Sequence, residues 1–199
     1  MRAYARLRRD DRRAQLLELG MRHFLARPYE SISMDDVAVE GGVSKGLLYH
    51  YFPTKREFYM ACLRTAVDEL LAVTQPVGEL PPGEALRAAL DAYLRYVEDH
   101  ASAYQAVLRG SIGSDPEVAA ITDSFREAIY RRIANALPPE PPLLLRLAVK
   151  GWIGFVEAIS VTWAESRSPS REVLVDLLAR ELDHLMTQAG EGARLTLPG

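Results

Sequence analysis

Apolar residues recur at intervals of three and four along nearly the whole chain, and no stretch of useful length alternates apolar with polar, so the sequence reads as all-α. The first stripe is Leu16, Leu17, Gly20, Met21, Phe24 and Leu25, a helix running from Asp10 or Asp11 to about Ala26, where Arg27-Pro28 stops it. Ile32 adds to its core. Three helix starts then crowd into Ser33–Tyr59. Ser33 with Asp36, Ser44 alone, and Thr54 with Glu57 each place a hydroxyl where it accepts from the amides of a first helical turn. From Thr54 the apolar positions Phe58, Tyr59, Cys62, Leu63, Ala66, Val67, Leu70 and Leu71 continue for about five turns to Gln75-Pro76.

Beyond a loop from Pro76 to Gly83, the stripes predict a helix over Ala85–Asp99 and a short one over Tyr104–Gly110. After a turn at Ser111–Pro116, Pro116 opens a helix that Pro138-Pro139 stops. Pro138–Pro142 is a stiff linker. Leu143–Glu165 is apolar almost all round and therefore predicted to be buried on two sides. A last helix capped at Ser170 carries Val173, Leu174, Leu177, Leu178, Leu182 and Leu185. The partition that follows is a domain over 1–54, a connector helix over 55–75, a helical domain over 76–189, and a flexible tail over 190–199.

The crowded stretch points to chemistry. Gly41-Gly42-Val43 is a tight turn that lets two short helices cross steeply, the construction of a helix-turn-helix, with Val37, Ala38, Val43, Leu47 and Leu48 holding the crossing. A recognition helix enters the major groove by its N-terminal residues, here Ser44, Lys45 and Gly46. Leu48, Tyr49, His50 and Tyr51 follow on the same helix and complete the expected reading surface. Ser33, Thr54, Lys55 and the Tyr51 phenol flank it as phosphate contacts, which fix orientation without reading bases.

The run V-A-V-E-G-G-V-S-K-G-L-L-Y-H-Y-F-P-T-K-R-E-F resembles the DNA-binding signature of the tetracycline-repressor (TetR) family of bacterial transcription regulators. Ser33, Ala38, Gly42, Val43, Ser44, Gly46, Tyr49, Tyr51, Phe52 and Lys55 fall on its fixed positions. Gly41 stands where Ala is usual, Val37 where Ile is, and Phe58 where Leu is; all three are packing positions. The resemblance implies an N-terminal three-helix, homeodomain-like helix-turn-helix domain and a C-terminal helical bundle for ligand binding and dimerisation. It also implies a repressor of palindromic operator DNA, released by a small effector, with activation as the alternative.

Charge supports this division of labour. The chain carries a net charge of −3, which alone argues against nucleic acid. Residues 1–60 nevertheless hold 11 Lys and Arg against 8 Asp and Glu, while 61–199 hold 13 against 19, so the front is mildly basic and the back acidic. Met1–Arg9, with Arg2, Arg6, Arg8 and Arg9, reads either as a mobile arm for supplementary DNA contact or as a solvated tail or extra helical turn. The basic start has no apolar run behind it, and Gly151–Ala164 is too short and too interrupted to span a bilayer, so a cytoplasmic, membrane-free protein is expected. A single cysteine, Cys62, excludes an internal disulfide and reads as a buried thiol.

In the back half, Gly151, Gly154 and Ala158 are small residues close to one turn apart, with Trp152, Phe155, Ile159 and Trp163 as bulk. Pairing this helix with Leu178, Leu182 and Leu185 of the last one, and both with their symmetry mates, predicts a four-helix dimer seam that the resemblance also implies. Tyr93, Tyr96, Tyr104, Phe125, Tyr130 and Trp152 are each ordinary core residues alone but, as a set, the makings of an apolar effector pocket. Glu157 must find Arg109, Arg146, Lys150 or a ligand cation, or lie at an edge or in the seam. His23 reads as a surface or half-buried residue rather than a ligand. His23, His50, His100 and His184 are scattered, and no zincin motif, nucleophile elbow or phosphate loop is present, so no enzyme, catalytic residue, metal or cofactor is expected. A helical ligand-binding protein without a DNA role is the remaining alternative.

Overall fold

The computed structural model describes residues 2–101 and 115–195, and over them the chain is helical without a strand. Eight α-helices follow in order: α1 Arg2–Ala26, α2 Met34–Glu40, α3 Lys45–Tyr51, α4 Lys55–Val73, α5 Pro82–Asp99, α6 Pro116–Ala134, α7 Leu143–Ser166 and α8 Arg171–Leu195. The expected helix at Tyr104–Gly110, Tyr104 itself and Arg109 lie outside the described residues. Two compact units form: one from α1 through Glu69 with the start of α6 to Ile121, the other from Leu70–Ala101 and Thr122 onward. The units therefore divide inside α4, the helix expected as the connector over 55–75, and again inside α6.

In the first unit α1 begins at Arg2, so the basic N-terminal stretch is helical backbone continuous with the predicted stripe. Leu16, Leu17, Leu19, Met21 and Phe24 bury one face against Ile32, Val37, Leu48 and the start of α4. Gly20 permits the approach: a Cβ there would lie 2.3 Å from Phe58 Cζ and 2.7 Å from Cys62 Sγ. All three caps form as the hydroxyl spacing demands. Ser33 Oγ accepts from Asp35 N at 3.2 Å, Ser44 Oγ from Leu47 N at 3.1 Å and Thr54 Oγ1 from Glu57 N at 3.0 Å. Between α2 and α3 the chain turns at Gly42, whose φ of +61° a side chain would disfavour. Cys62 is buried with its thiol pushed up to about 12 by desolvation, so it is inert. His23 is more buried than its sequence context suggests, and its Nε2 sits 2.8 Å from Glu40 Oε2, misaligned for a hydrogen bond.

The start of α6 joins this unit because Val118 and Ile121 enter its core and because Arg56 forks onto Asp115 at 2.8 and 2.9 Å and reaches Glu117 at 2.8 Å. Asp115 also accepts from Glu117 N at 2.8 Å, capping α6. The Arg56 guanidinium, with that backbone donor, holds the Asp115 carboxyl down at about 2, below the ordinary ~3.9. A depressed carboxyl contributes stability above its unfolded value and loses it as pH falls from about 4 to about 2. Asp115→Asn is therefore expected to be less stable than the natural chain at pH 6 and to lose less on further acidification to pH 3, as read by urea titration at the two pH values.

In the second unit α5 packs on both α7 and α8, and α7 packs along α8. Leu90, Tyr93, Leu94 and Val97 of α5 meet Trp152, Ile153, Val156 and Val149 of α7 and Leu174, Leu178 and Leu182 of α8 in this core. Trp152 donates its indole N–H to Leu178 O at 2.9 Å, and Arg171 ties the head of α8 to Asp91 and Glu98 of α5 at 2.7 and 2.9 Å. Three sequence expectations change here. Helix α5 starts at Pro82 rather than Ala85, because Pro is well placed in a first helical turn. Helix α8 runs on to Leu195, so residues 190–195 are helical and not a tail. And α7 is not buried all round: Leu144, Leu147, Gly151, Gly154, Phe155 and Ala158 leave a continuous exposed face.

Candidate DNA-facing helix and ligand cavity

Helix α3 turns one edge inward and the rest outward. Leu48 is fully buried in the core, where it locks α3 onto α1 and α2, so it is removed from the DNA-facing set. Its neighbour Leu47, expected to pack, is 37% exposed and takes the outward place instead. The signal lay in phase: an inward position at Leu48 repeats one turn later at buried Phe52, and Leu47 falls off that line. Ser44, Lys45, Gly46 and His50 are exposed, and Tyr49 and Tyr51 are half-buried with part of each ring at the surface. A Cβ on Gly46 would meet nothing of this chain nearer than Ser44 Oγ at 4.0 Å, so the protein itself does not require a glycine there. The open space favours a partner that needs close backbone approach.

Lys45 projects from the first turn of α3 and its Nζ meets Asp35 at 2.7 Å, both side chains being more than half exposed. Its hydrogen bond to Asp35 raises the Lys45 ammonium above its ordinary value, so it is a full cation at neutral pH. A surface pair of this kind exchanges readily for phosphate. Lys55 lies 4.5 Å from the Tyr29 ring centre and donates to Glu30 O at 3.3 Å, which orients it beside the α4 N-terminus. Ser33 and Thr54 spend their oxygens as caps but keep hydroxyl protons for an acceptor. Arg56, by contrast, is committed to Asp115 and Glu117.

The second unit holds a cavity of about 830 Å³, partly open to solvent, lined by α5, α6, α7 and α8 and by Thr74 and Pro76. Tyr93, Phe125 and Trp152 line it, together with Leu86, Leu90 and Ile129. Tyr130 faces a separate recess beside Pro138, Pro139 and Arg146, with Lys150 5.1 Å from its ring centre. Tyr96 turns to His100, ring centres 4.4 Å apart, so neither of these tyrosines belongs to the cavity wall. Glu157 is on the wall and its partner is Arg126, one residue beyond Phe125 on α6: both carboxylate oxygens accept from the guanidinium at 2.8 to 3.0 Å. That hydrogen bonding raises Arg126 further above the guanidinium norm. Arg132, which sequence reasoning also passed over, is the other buried-side cation, donating to Leu71 O at 2.6 Å and Thr74 Oγ1 at 3.0 Å.

The residues expected in the seam differ in burial. Leu178 and Leu182 are buried in their own subunit against α5 and α7, because the inward face of α8 is Leu174, Leu178 and Leu182. The apolar residues that α8 leaves exposed are Val173 and Leu177, at 54% and 43%. Leu185 and Ile159 are half-buried, while Gly151, Gly154, Phe155 and Ala158 are exposed as a contact surface requires.

Residues 16–62 match the family described as bacterial regulatory proteins, tetR family, and residues 82–185 match the tetracyclin repressor-like C-terminal domain. The second match alone spans more than half of the chain. The chain belongs to the TetR family. A tetR-family transcriptional regulator from Streptomyces coelicolor is 31% identical, covers 92% of this chain and 83% of its own, and superposes with a TM-score of 0.85. The HTH-type transcriptional activator FasR of Mycolicibacterium smegmatis is 34% identical over 136 residues, 65% of this chain. The HTH-type transcriptional repressor KstR2 of Mycobacterium tuberculosis is 31% identical over 93 residues, 46% of this chain. This TetR-family chain spans 62% of the length of FasR and 46% of that of KstR2.

Proposed function

We propose that this chain is a cytoplasmic, dimeric transcription regulator that reads palindromic DNA with α3 and is controlled by a small, largely apolar effector held in the cavity of its second unit. The observation that carries the reading is the outward edge of α3, where Ser44, Lys45, Gly46 and His50 are exposed and the space over Gly46 is left open. Ser33, Tyr49, Tyr51, Thr54 and Lys55 supply the flanking polar groups. Dimerisation is supported by the uncovered apolar face of α7 with Val173 and Leu177 of α8, and an effector by the cavity's carbon walls and few polar groups. Among the described residues no helix is long and apolar enough to cross a membrane. Repression, with release by the effector, is the primary reading. The match to FasR, a named activator, favours activation as the second.

Selection of bound fragments from random oligonucleotides, followed by anisotropy titration, tests the DNA role. Affinity is expected to fall steeply with salt, and Lys45→Ala and Tyr49→Ala each to weaken binding by about tenfold or more while leaving sedimentation unchanged. Unaltered affinity in both variants would remove α3 from the interface.

A further inference from the structure

The cavity of the second unit holds a charged group whose partners are all neutral. Arg132 of α6 donates to the Leu71 carbonyl and the Thr74 hydroxyl, and among the described residues no carboxylate pairs with it. Of the other cations on or beside the wall, Arg87 pairs with Asp176 and Arg126 with Glu157 and Asp123, while Arg180 is exposed and donates to Asp176 O of its own helix. Burial without a counter-ion draws Arg132 below the ordinary guanidinium range, the opposite of what happens to Arg126. The same wall carries carbon from Leu90, Ile129, Ile133 and Trp152, with Asn135 and Asp183 among its few polar groups. Of the five N–H donors on a guanidinium, the two bonds to Leu71 and Thr74 leave an edge free for a carboxylate or phosphate. Glu157 does not offer the converse site for a cation, since both of its oxygens are held by Arg126.

The place of those two bonds matters as much as the charge. Leu71 lies in the last turn of α4 and Thr74 immediately follows that helix. Carbonyls at a helix end lack intrahelical donors and carry partial negative charge, so Arg132 caps α4 and sits against its negative pole. An anion drawn to the same guanidinium is repelled by those carbonyls. The two acceptors therefore compete.

Resting on the reading of this cavity as the effector site, we infer that its ligand is an amphipath with an apolar body and one anionic head, and that the head takes Arg132 from the last turn of α4. Losing the cap loosens the end of a helix that is unbroken from Lys55, the residue that begins α4 just after the α3 reading surface. A neutral ligand of the same body fills the cavity without that exchange.

Decanoate, decanol and decylammonium provide matched probes with one apolar chain and three heads, and calorimetry or tryptophan fluorescence on the full chain reads their binding. Decanoate is expected to bind about tenfold or more tightly than decanol, and decylammonium more weakly than either. Arg132→Gln should bring decanoate to within a few-fold of decanol with decanol itself unchanged. Thr74→Val, which removes one competing acceptor at nearly constant shape, should tighten decanoate by about two- to tenfold. Decanol binding as well as decanoate, decylammonium binding as well as decanoate, or a preference that survives Arg132→Gln each overturn the anionic head while the cavity reading stands. An unchanged decanoate affinity in Thr74→Val overturns the exchange with α4. The absence of binding by all three probes overturns the effector cavity and this inference with it. The comparison of heads in the natural chain decides the matter even if Arg132→Gln fails to fold.

Discussion

Phe155→Glu is expected to leave the chain folded, to render it monomeric at micromolar concentration, and to lower its affinity for palindromic DNA by about a hundredfold or more. Phe155 is 38% exposed on a face of α7 that α5 and α8 do not cover, so a carboxylate there stays in water and the fold is spared. In the proposed two-fold contact every substitution would enter twice, and the two new charges would meet the exposed apolar residues Leu144, Leu147, Val173 and Leu177. Desolvating unpaired carboxylates is far costlier than the apolar contact they replace. With the subunits apart, each half-site must be bound alone, and the gain from holding the second reading helix at high effective concentration disappears. Analytical ultracentrifugation and anisotropy on one preparation check both statements. Val77→Glu, at a residue 91% exposed in the loop before α5, is the control expected to change neither. A dimer that persists in Phe155→Glu and binds its palindrome unchanged would move the seam to another face.

The parts of this fold that depend on neighbours in sequence were legible, and the parts that depend on distant partners were not. Ser33, Ser44 and Thr54 announce three helix starts because a cap is a contact across two or three residues, and each bond forms. Phase was harder. Leu47 and Leu48 are adjacent and equally apolar, and what decides between them is the line to Phe52 and the position of α1, which no local pattern reports. The same ambiguity placed Leu178 and Leu182 in the seam, although the six apolar residues of that stripe split into an inward row at Leu174, Leu178 and Leu182, an outward pair at Val173 and Leu177, and a half-buried Leu185. Arg126 and Arg132 escaped notice because their partners are 31 and 58 to 61 residues away, and a charged residue on an amphipathic helix reads as solvated until its neighbours are known. Of the aromatic set, Tyr93, Phe125 and Trp152 do share a wall, while Tyr96 and Tyr130 share helices but not faces with them. The helix through 190–195 ran against the low propensity of its glycines, a case of context overriding preference.

Gly20→Ala and Phe58→Leu are expected to be destabilising separately and clearly less than additive together. Phe58 departs from the usual leucine of the TetR signature, and its ring is fully buried between Phe24 and Phe52, at centroid distances of 5.6 and 4.6 Å. The extra length is accommodated by the missing side chain at Gly20, where a Cβ would fall 2.3 Å from the tip of the ring. Adding that methyl alone forces the ring or α1 to move, at about 1–3 kcal/mol, against the roughly 0.5–1 kcal/mol that alanine gains over glycine inside a helix. Shortening Phe58 alone leaves a void at the same spot and costs on the order of 1 kcal/mol, and Phe58→Ala, with a larger void, about 3–5 kcal/mol. In the double variant the alanine methyl occupies the space the ring tip vacates, so the coupling is favourable by about 1–2 kcal/mol, while Cys62 Sγ, 2.7 Å from the same Cβ, still has to give way. Hydrogen exchange of the α1 and α4 amides reads this cycle locally, without requiring the two units to unfold together. Additive effects would show that the glycine and the ring do not share the space, and the Phe at position 58 would then need a different explanation. A coupled result ties the departure at Phe58 and the glycine at position 20 to a single packing solution that keeps α3 presented on a stable core.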